Sequence, residues 1–151
     1  MAPALEKDII MKRVNGIQQE IAELKKLGKQ SFREFKNGVG IKLAHYHLHR
    51  ALEGIFHISA HVLSRIPGAQ ATEYKEMALK LGEFGIVPKK FAEQKLALMA
   101  KYRNRLVHFY ADITAEELYN IIKKDLGDLE IFLSAIKNLM KHPKKYHLMT
   151  E

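Results

Sequence analysis

The residues best suited to chemistry lie in one short segment, Arg103 to Tyr110, with the sequence Arg-Asn-Arg-Leu-Val-His-Phe-Tyr. On a helix, Asn104 and His108 are one turn apart, so their side chains can face one ligand. Arg103 and His108 are about 140° apart around an ideal helix, but a long arginine side chain can still converge with the histidine on a ligand. Arginine presents a charged fork that matches phosphate oxygens, and histidine exchanges a proton near neutral pH.

This set of groups suits RNA cleavage without a metal ion. The RNA 2′-hydroxyl can attack the adjacent phosphate when a base removes its proton and a cation stabilises the developing negative charge. His108 fits the base or the acid, Arg103 fits the cation, and Tyr110 can orient the phosphate or the base. The same residues also suit a plain helix end, where they cap carbonyl groups and pack aromatic rings. The pattern alone leaves both interpretations open.

Four histidines in one predicted helix raise the alternative of a metal site. His45 and His49 are one turn apart, as are His57 and His61, which is the spacing at which two imidazoles can bind one ion. Neither pair encloses a carboxylate in the His-Glu-x-x-His pattern, and the chain has no cysteine. We therefore expect no functional metal and interpret these histidines as polar-face or interface residues.

The composition limits the classes of protein to consider. The 151 residues suffice for one domain with an apolar core, and Lys and Arg outnumber Asp and Glu by 25 to 17, a net charge of +8. A basic excess favours a polyanionic partner, although many basic proteins bind no nucleic acid. The absence of cysteine excludes disulfides and a thiol nucleophile. No apolar run approaches the ~18 residues of a membrane span, and the N-terminus is charged, so we expect a cytoplasmic protein with no membrane partner.

Apolar residues recur every three or four positions along most of the chain, which predicts helices and no convincing strand. The predicted helices cover about residues 5–27, a short stretch from 31, 41–65, 72–84, 89–110 and 114–141. Short links between long amphipathic helices favour antiparallel neighbours. We therefore expect an all-α, up-and-down antiparallel bundle of four to five helices, forming a single domain over residues 1–141. Residues 142–151 are basic, and we expect them to form a flexible tail.

The segment from Arg103 to Tyr110 resembles the R-x-x-x-x-H-x-Y signature of HEPN-domain proteins, specifically that of the HepT-like toxins. The motif lies at the end of the fourth long predicted helix, which makes the resemblance more specific. Other parts of the chain also resemble family landmarks: His49 to Glu53, Leu81 to Pro88, Leu98-Met99 and Thr114 to Tyr119. Together these segments extend over about residues 10–140, nearly the whole domain.

The resemblance implies a homodimer in which two copies of the motif face each other across a composite cleft. It implies the toxin of a toxin–antitoxin system, a metal-independent endoribonuclease with RNA as substrate and no cofactor. Arg103 and His108 match the catalytic pair and Asn104 a polar supporting residue. The implied partner is a minimal nucleotidyltransferase antitoxin of the MntA type, which transfers AMP to the tyrosine that corresponds to Tyr110. The added negative charge and bulk would repel the RNA phosphate.

Further alternatives remain open. Arg50 and Glu53 can support the cleft, or they can form a surface ion pair, since they lie three residues apart. A non-catalytic alternative is a helical binding subunit of a nucleotidyltransferase, which holds a nucleotide or small substrate without breaking a bond. Another is a structural helical protein with a motif-like helix end, in which alanine substitutions alter only stability.

Overall fold

Helices account for most of the chain in the computed structural model, which describes residues 4–108 and 112–151. The predicted all-helical bundle is confirmed. Among the described residues, no helix combines the length and the apolar character that crossing a membrane requires. The helices are α1 (Lys7–Gly28), α2 (Phe32–Asn37), α3 (Gly40–Ser64), α4 (Tyr74–Glu83), α5 (Lys89–Phe91), α6 (Ala97–His108), α7 (Ala115–Lys124) and α8 (Leu126–Lys141).

The two longest helices, α1 and α3, form the centre of the bundle. The buried residues of α1 recur at helical spacing, as predicted: Ile10, Val14, Ile17, Ile21 and Leu24. Burial of such a stripe is the main source of stability of an amphipathic helix. Gly54 brings the two helices close, because a Cβ at this position would lie 2.7 Å from Cγ1 of Ile17. One surface of this close α1–α3 contact also carries charged residues of the site described below.

The helix that we predicted over residues 114–141 is divided at Asp125 into α7 and α8. The Asp125 amide closes α7 by donating to the Ile121 carbonyl, and the Asp128 amide donates to the Asp125 carbonyl at 3.1 Å. Apolar residues keep their helical spacing through the break, so the spacing did not predict that the helix would be divided. The physical reason lies in composition, because Asp125 and Gly127 are both poor helix formers.

A second departure from the prediction affects the helix over residues 89–110. A π-helical turn, Ala92–Leu96, separates α5 from α6. The turn packs closely on α4, since a Cβ at Gly82 would lie 2.6 Å from Cβ of Ala92. A π-turn inserts one extra residue into a helix and rotates everything after it. It therefore sets the direction in which the side chains of α6 point.

The two ends of the described chain lie together. Residues 142–151, which we expected to form a flexible tail, contain a 3₁₀ turn (Pro143–Tyr146) and the short strand β2 (Met149–Thr150). This strand pairs in parallel with β1 (Ala4–Leu5), although the sequence predicted no strand. Leu5 and Leu148 are buried. Burial of these two side chains and the pairing of the two strands hold residues 142–151 against the beginning of the described chain. The basic composition of the segment did not indicate this.

Candidate active site

The predicted motif occupies the last turns of α6. Leu106 is buried and anchors the helix end in the core, while Asn104 and His108 are exposed. Arg103 lies between these extremes, with 22% of its side chain exposed. Phe109 and Tyr110 lie outside the described residues, so the role of Tyr110 stays a prediction from the sequence.

Contacts with three helices hold the Arg103 guanidinium. Its Nε donates a hydrogen bond to Oε1 of Glu53 on α3, and its Nη1 donates to Oδ1 of Asn104 at 3.1 Å. The guanidinium carbon lies 4.5 Å from the centre of the Tyr74 ring, at the start of α4. A cation over an aromatic face is favourable, and a carboxylate on its edge adds a charge-assisted hydrogen bond. The motif arginine therefore has a fixed orientation.

Tyr74 was not singled out from the sequence, yet it supports both partners of this ion pair. Its hydroxyl donates to Oε2 of Glu53 at 3.3 Å, while its ring lies under Arg103. The other face of the ring stacks on the buried Phe56, with ring centres 4.6 Å apart and planes 11° apart. Burial, and then the Glu53 charge, raise the pKa of the Tyr74 hydroxyl. Tyr74 is therefore a neutral, rigid platform for Arg103 and Glu53.

Glu53 is the centre of a polar stripe along α3. His49 and His57 lie one turn before and after it, and their Nε2 atoms are 3.8 and 3.6 Å from its carboxylate. Arg50 belongs to a different group, because its Nε donates to Oε1 of Glu20 on α1 at 2.8 Å. Of the two residues that the sequence left as either cleft supports or an ion pair, Glu53 contacts the motif arginine and Arg50 contacts α1.

His45 begins the same stripe and lies against the end of the motif helix. Burial lowers the pKa of His45, as does the charge of His49, while a hydrogen bond with the Leu106 backbone opposes the shift. His45 is therefore held largely neutral at neutral pH. This neutral side chain joins the start of α3 to the segment that carries His108.

Arg105, the second arginine of the motif, has a structural partner. Its guanidinium forms a two-point ion pair with the Glu117 carboxylate at the start of α7, and Nη2 also donates to the Asp112 carbonyl at 3.3 Å. The Glu117 amide in turn donates to the Thr114 hydroxyl, which caps α7. Arg105 thus connects the end of α6 to the next helix, which leaves Arg103 as the motif arginine available for a ligand.

The histidine pairs that suggested a metal have other partners. His57 Nδ1 lies 3.0 Å from Nη1 of Arg13, and His61 Nε2 accepts a hydrogen bond from the Glu6 amide at 3.1 Å. Within residues 4–108 and 112–151, no three or more His, Asp or Glu side chains are arranged to hold a metal ion. Burial lowers the pKa of His61, and the neighbouring Arg65 charge lowers it further.

Comparison with known proteins shows what the chain resembles. A family model described as Ribonuclease HepT-like matches residues 17–136, a range that contains Glu53, Tyr74, Arg103 and His108. No curated protein matches the sequence.

Solved structures share the fold at low sequence identity. YutE from Bacillus subtilis, a cytosolic protein of unknown function, has a TM-score of 0.80 at 18% identity, covering 93% of this chain and 94% of that chain. The tri-AMPylated HEPN toxin of Shewanella oneidensis in complex with MNT antitoxin has a TM-score of 0.72 at 21% identity, covering 87% and 98%. A toxin–antitoxin with AMP-PNP has a TM-score of 0.74 at 20% identity, also covering 87% and 98%. At these identities the similarity establishes a common fold.

Proposed function

We propose that this chain, which belongs to the HepT-like ribonuclease family, cleaves RNA without a metal ion through Arg103 and His108. The observation that carries the proposal is the fixed Arg103 guanidinium. Its bonds to Glu53 and Asn104 engage Nε and Nη1, and 22% of the side chain stays exposed for an incoming phosphate. A cation oriented before the reaction stabilises the charge that develops on a phosphate at no cost in reorganisation.

The proposed reaction needs one base, one acid and one cation. His108 takes the proton of the RNA 2′-hydroxyl, and the resulting oxygen attacks the adjacent phosphorus. The bond from phosphorus to the 5′-oxygen breaks, and that oxygen takes a proton from a protonated histidine. Arg103 binds the non-bridging oxygens, on which negative charge increases. The products are a 2′,3′-cyclic phosphate on one fragment and a 5′-hydroxyl on the other.

A composite cleft between two copies of the chain is part of the proposal. On an ideal helix His108 lies about 140° around and about 7.5 Å along from Arg103. Glu53 and Tyr74 draw Arg103 towards α3 and α4, so the His108 of the same copy leaves the helix in another direction. A second copy supplies the complementary group, and the exposed Val107 offers an apolar contact beside His108. We therefore expect a homodimer.

The biological role that we propose is that of a toxin under the control of an antitoxin. The Shewanella protein with the same fold is a tri-AMPylated HEPN toxin in complex with MNT antitoxin. By analogy, the partner is a minimal nucleotidyltransferase of the MntA type, and its target is Tyr110, two residues after His108. A nucleotide on Tyr110 adds negative charge beside the phosphate-binding groups and repels RNA.

Incubation with ATP and an MntA-type nucleotidyltransferase is expected to add about 329 Da per AMP to the wild type and to stop RNA cleavage. Tyr110→Phe is expected to retain cleavage and to resist this inactivation, because it lacks the acceptor hydroxyl. Intact-mass spectrometry and an RNA cleavage assay on the same samples measure both effects. Tyr119→Phe is the matched control and should behave as the wild type. Inactivation of Tyr110→Phe by the partner and ATP would contradict the assignment.

Tyr74→Leu is expected to lower kcat about tenfold with little change in KM, because loss of a cation–π contact of about 1.4 kcal/mol frees the Arg103 guanidinium. Tyr74→Phe keeps the ring and loses only the contacts of the hydroxyl with Glu53 and Arg103, so its activity should lie close to that of the wild type. Steady-state cleavage of a short RNA gives both constants. Equal losses in the two variants, or an effect on KM alone, would show that the ring does not position Arg103.

The proposed function itself is tested with fresh, unmodified protein and RNA in the presence of EDTA. Cleavage that persists in EDTA supports a metal-independent ribonuclease. Absence of cleavage, with intact mass confirming an unmodified Tyr110, would favour the non-catalytic binding subunit instead.

A further inference from the structure

A groove of about 370 Å³ runs along the surface between α1 and α3, beside the candidate active site. Charged and titratable side chains from both helices line it: Arg13, Glu20, His49, Arg50, Glu53 and His57. The groove reaches the active site through Glu53, since this residue both lines it and holds Arg103. A ligand in the groove therefore lies next to the motif arginine.

The groove carries a positive charge that no carboxylate in the described part of the chain neutralises. Arg50 is paired with Glu20, and Glu53 is paired with Arg103. Arg13 is different, because its partner is the ring of His57, at 3.0 Å. Its guanidinium is exposed and keeps its charge for an incoming anion.

A line of polar contacts joins Arg13 to Arg103 across three helices. Nη1 of Arg13 lies 3.0 Å from Nδ1 of His57, and the second nitrogen of that ring is Nε2. That nitrogen faces Oε2 of Glu53 at 3.6 Å, and Oε1 of Glu53 accepts from Arg103. The cation of the groove and the cation of the motif are thus held in one connected arrangement, which suits two phosphates of the same strand.

Gly16 supplies an independent observation. It lies in the middle of α1 and lines the groove, and a Cβ at this position would meet no atom of the described residues within 4 Å. Packing explains the glycine at position 54, on the opposite wall of the groove, because a Cβ there would collide with Ile17. Glycine destabilises the interior of a helix relative to alanine, and no neighbour within residues 4–108 and 112–151 requires a glycine at position 16. Its effect is to leave the groove open for close approach of a ligand to the backbone.

We propose that this groove binds a backbone phosphate of the RNA strand that flanks the phosphate being cleaved, with Arg13 as its main contact. The inference rests on the proposed ribonuclease function and adds a substrate subsite on α1, away from the motif. It assigns Arg13 and Gly16 to RNA binding, whereas the chemistry stays with Arg103 and His108.

The test measures binding of a labelled single-stranded RNA by fluorescence anisotropy, in a His108→Ala background that prevents cleavage. Arg13→Gln is expected to weaken binding about 3- to 10-fold and to reduce the slope of log affinity against log salt by about 0.7, the value for one phosphate contact on a single strand. Gly16→Glu adds a carboxylate inside the groove and is expected to weaken binding by more than about tenfold through repulsion of the phosphate.

Two control variants make the same chemical changes elsewhere. Lys90→Gln removes one exposed positive charge from α5, and Asn15→Glu adds one carboxylate at an exposed position next to Gly16. We expect each control to bind RNA more tightly than its matched groove variant. The subsite would be refuted if each groove variant bound RNA as its control does, or if Arg13→Gln changed the oligomeric state measured by light scattering. Because this assay reads binding alone, its failure is distinct from a failure of the wild type to cleave RNA.

Discussion

Replacing His108 with alanine is expected to lower the rate of RNA cleavage by about 10²- to 10⁴-fold, the range that general acid–base catalysis contributes. The side chain is exposed at the end of α6, so its removal leaves no cavity in the core. The thermal unfolding temperature should therefore stay close to that of the wild type. The loss should fall on kcat, because the phosphate is bound mainly by arginine.

The matched control for this variant is His142→Ala, which removes another exposed imidazole after the end of α8. It should cleave RNA at the wild-type rate. Added imidazole should restore part of the activity of His108→Ala, since a small base can occupy the space of the missing ring. Undiminished cleavage by His108→Ala would contradict the assignment of this residue.

Replacing Arg103 with lysine is expected to lower kcat by about 10²- to 10³-fold. This is the loss that follows removal of one preorganised hydrogen-bond donor at a reacting oxygen. Lysine keeps the charge, but it has no planar fork with which to bind Glu53, Asn104 and a phosphate together. Arg103→Ala should lose at least as much. Steady-state kinetics at low salt compares the two variants with the wild type.

Arg33→Lys provides the control for Arg103→Lys, because it makes the same change at an exposed position on α2. We expect it to leave kcat unchanged. If Arg103→Lys retained wild-type kcat, charge alone would be enough, and the fixed guanidinium could not be the basis of the rate.

The fold was largely predictable because burial follows local spacing. The stripe on α1 from Ile10 to Leu24 identifies both the helix and its buried face. The break at Asp125 and the π-turn over Ala92–Leu96 were missed, since apolar spacing continues through both. The pairing of β1 with β2 was also missed, because it joins opposite ends of the chain through two residues each.

The candidate site was predictable mainly within α6, with Glu53 on α3 named beforehand as one of two alternatives, a cleft support or a member of a surface ion pair. Spacing along one helix relates Arg103, Asn104 and His108, and the family resemblance assigns their roles. Neither the spacing nor the resemblance reveals that Glu53, fifty positions away, accepts a hydrogen bond from Arg103, or that the Tyr74 ring lies beneath both side chains. Contacts of this kind depend on how α3, α4 and α6 cross. The sequence of each helix does not show which side chain of another helix its glutamate or tyrosine will contact.

The identity of the RNA ends tests the proposed chemistry most directly. Unmodified wild-type protein is incubated with a defined RNA in EDTA, and the fragments are identified by mass spectrometry. Attack by the 2′-hydroxyl, with His108 as base and Arg103 as the cation, should leave a 2′,3′-cyclic phosphate on one fragment and a 5′-hydroxyl on the other. Fragments that carry a 3′-hydroxyl and a 5′-phosphate from the first appearance of product would contradict it, because they require a water molecule as the nucleophile.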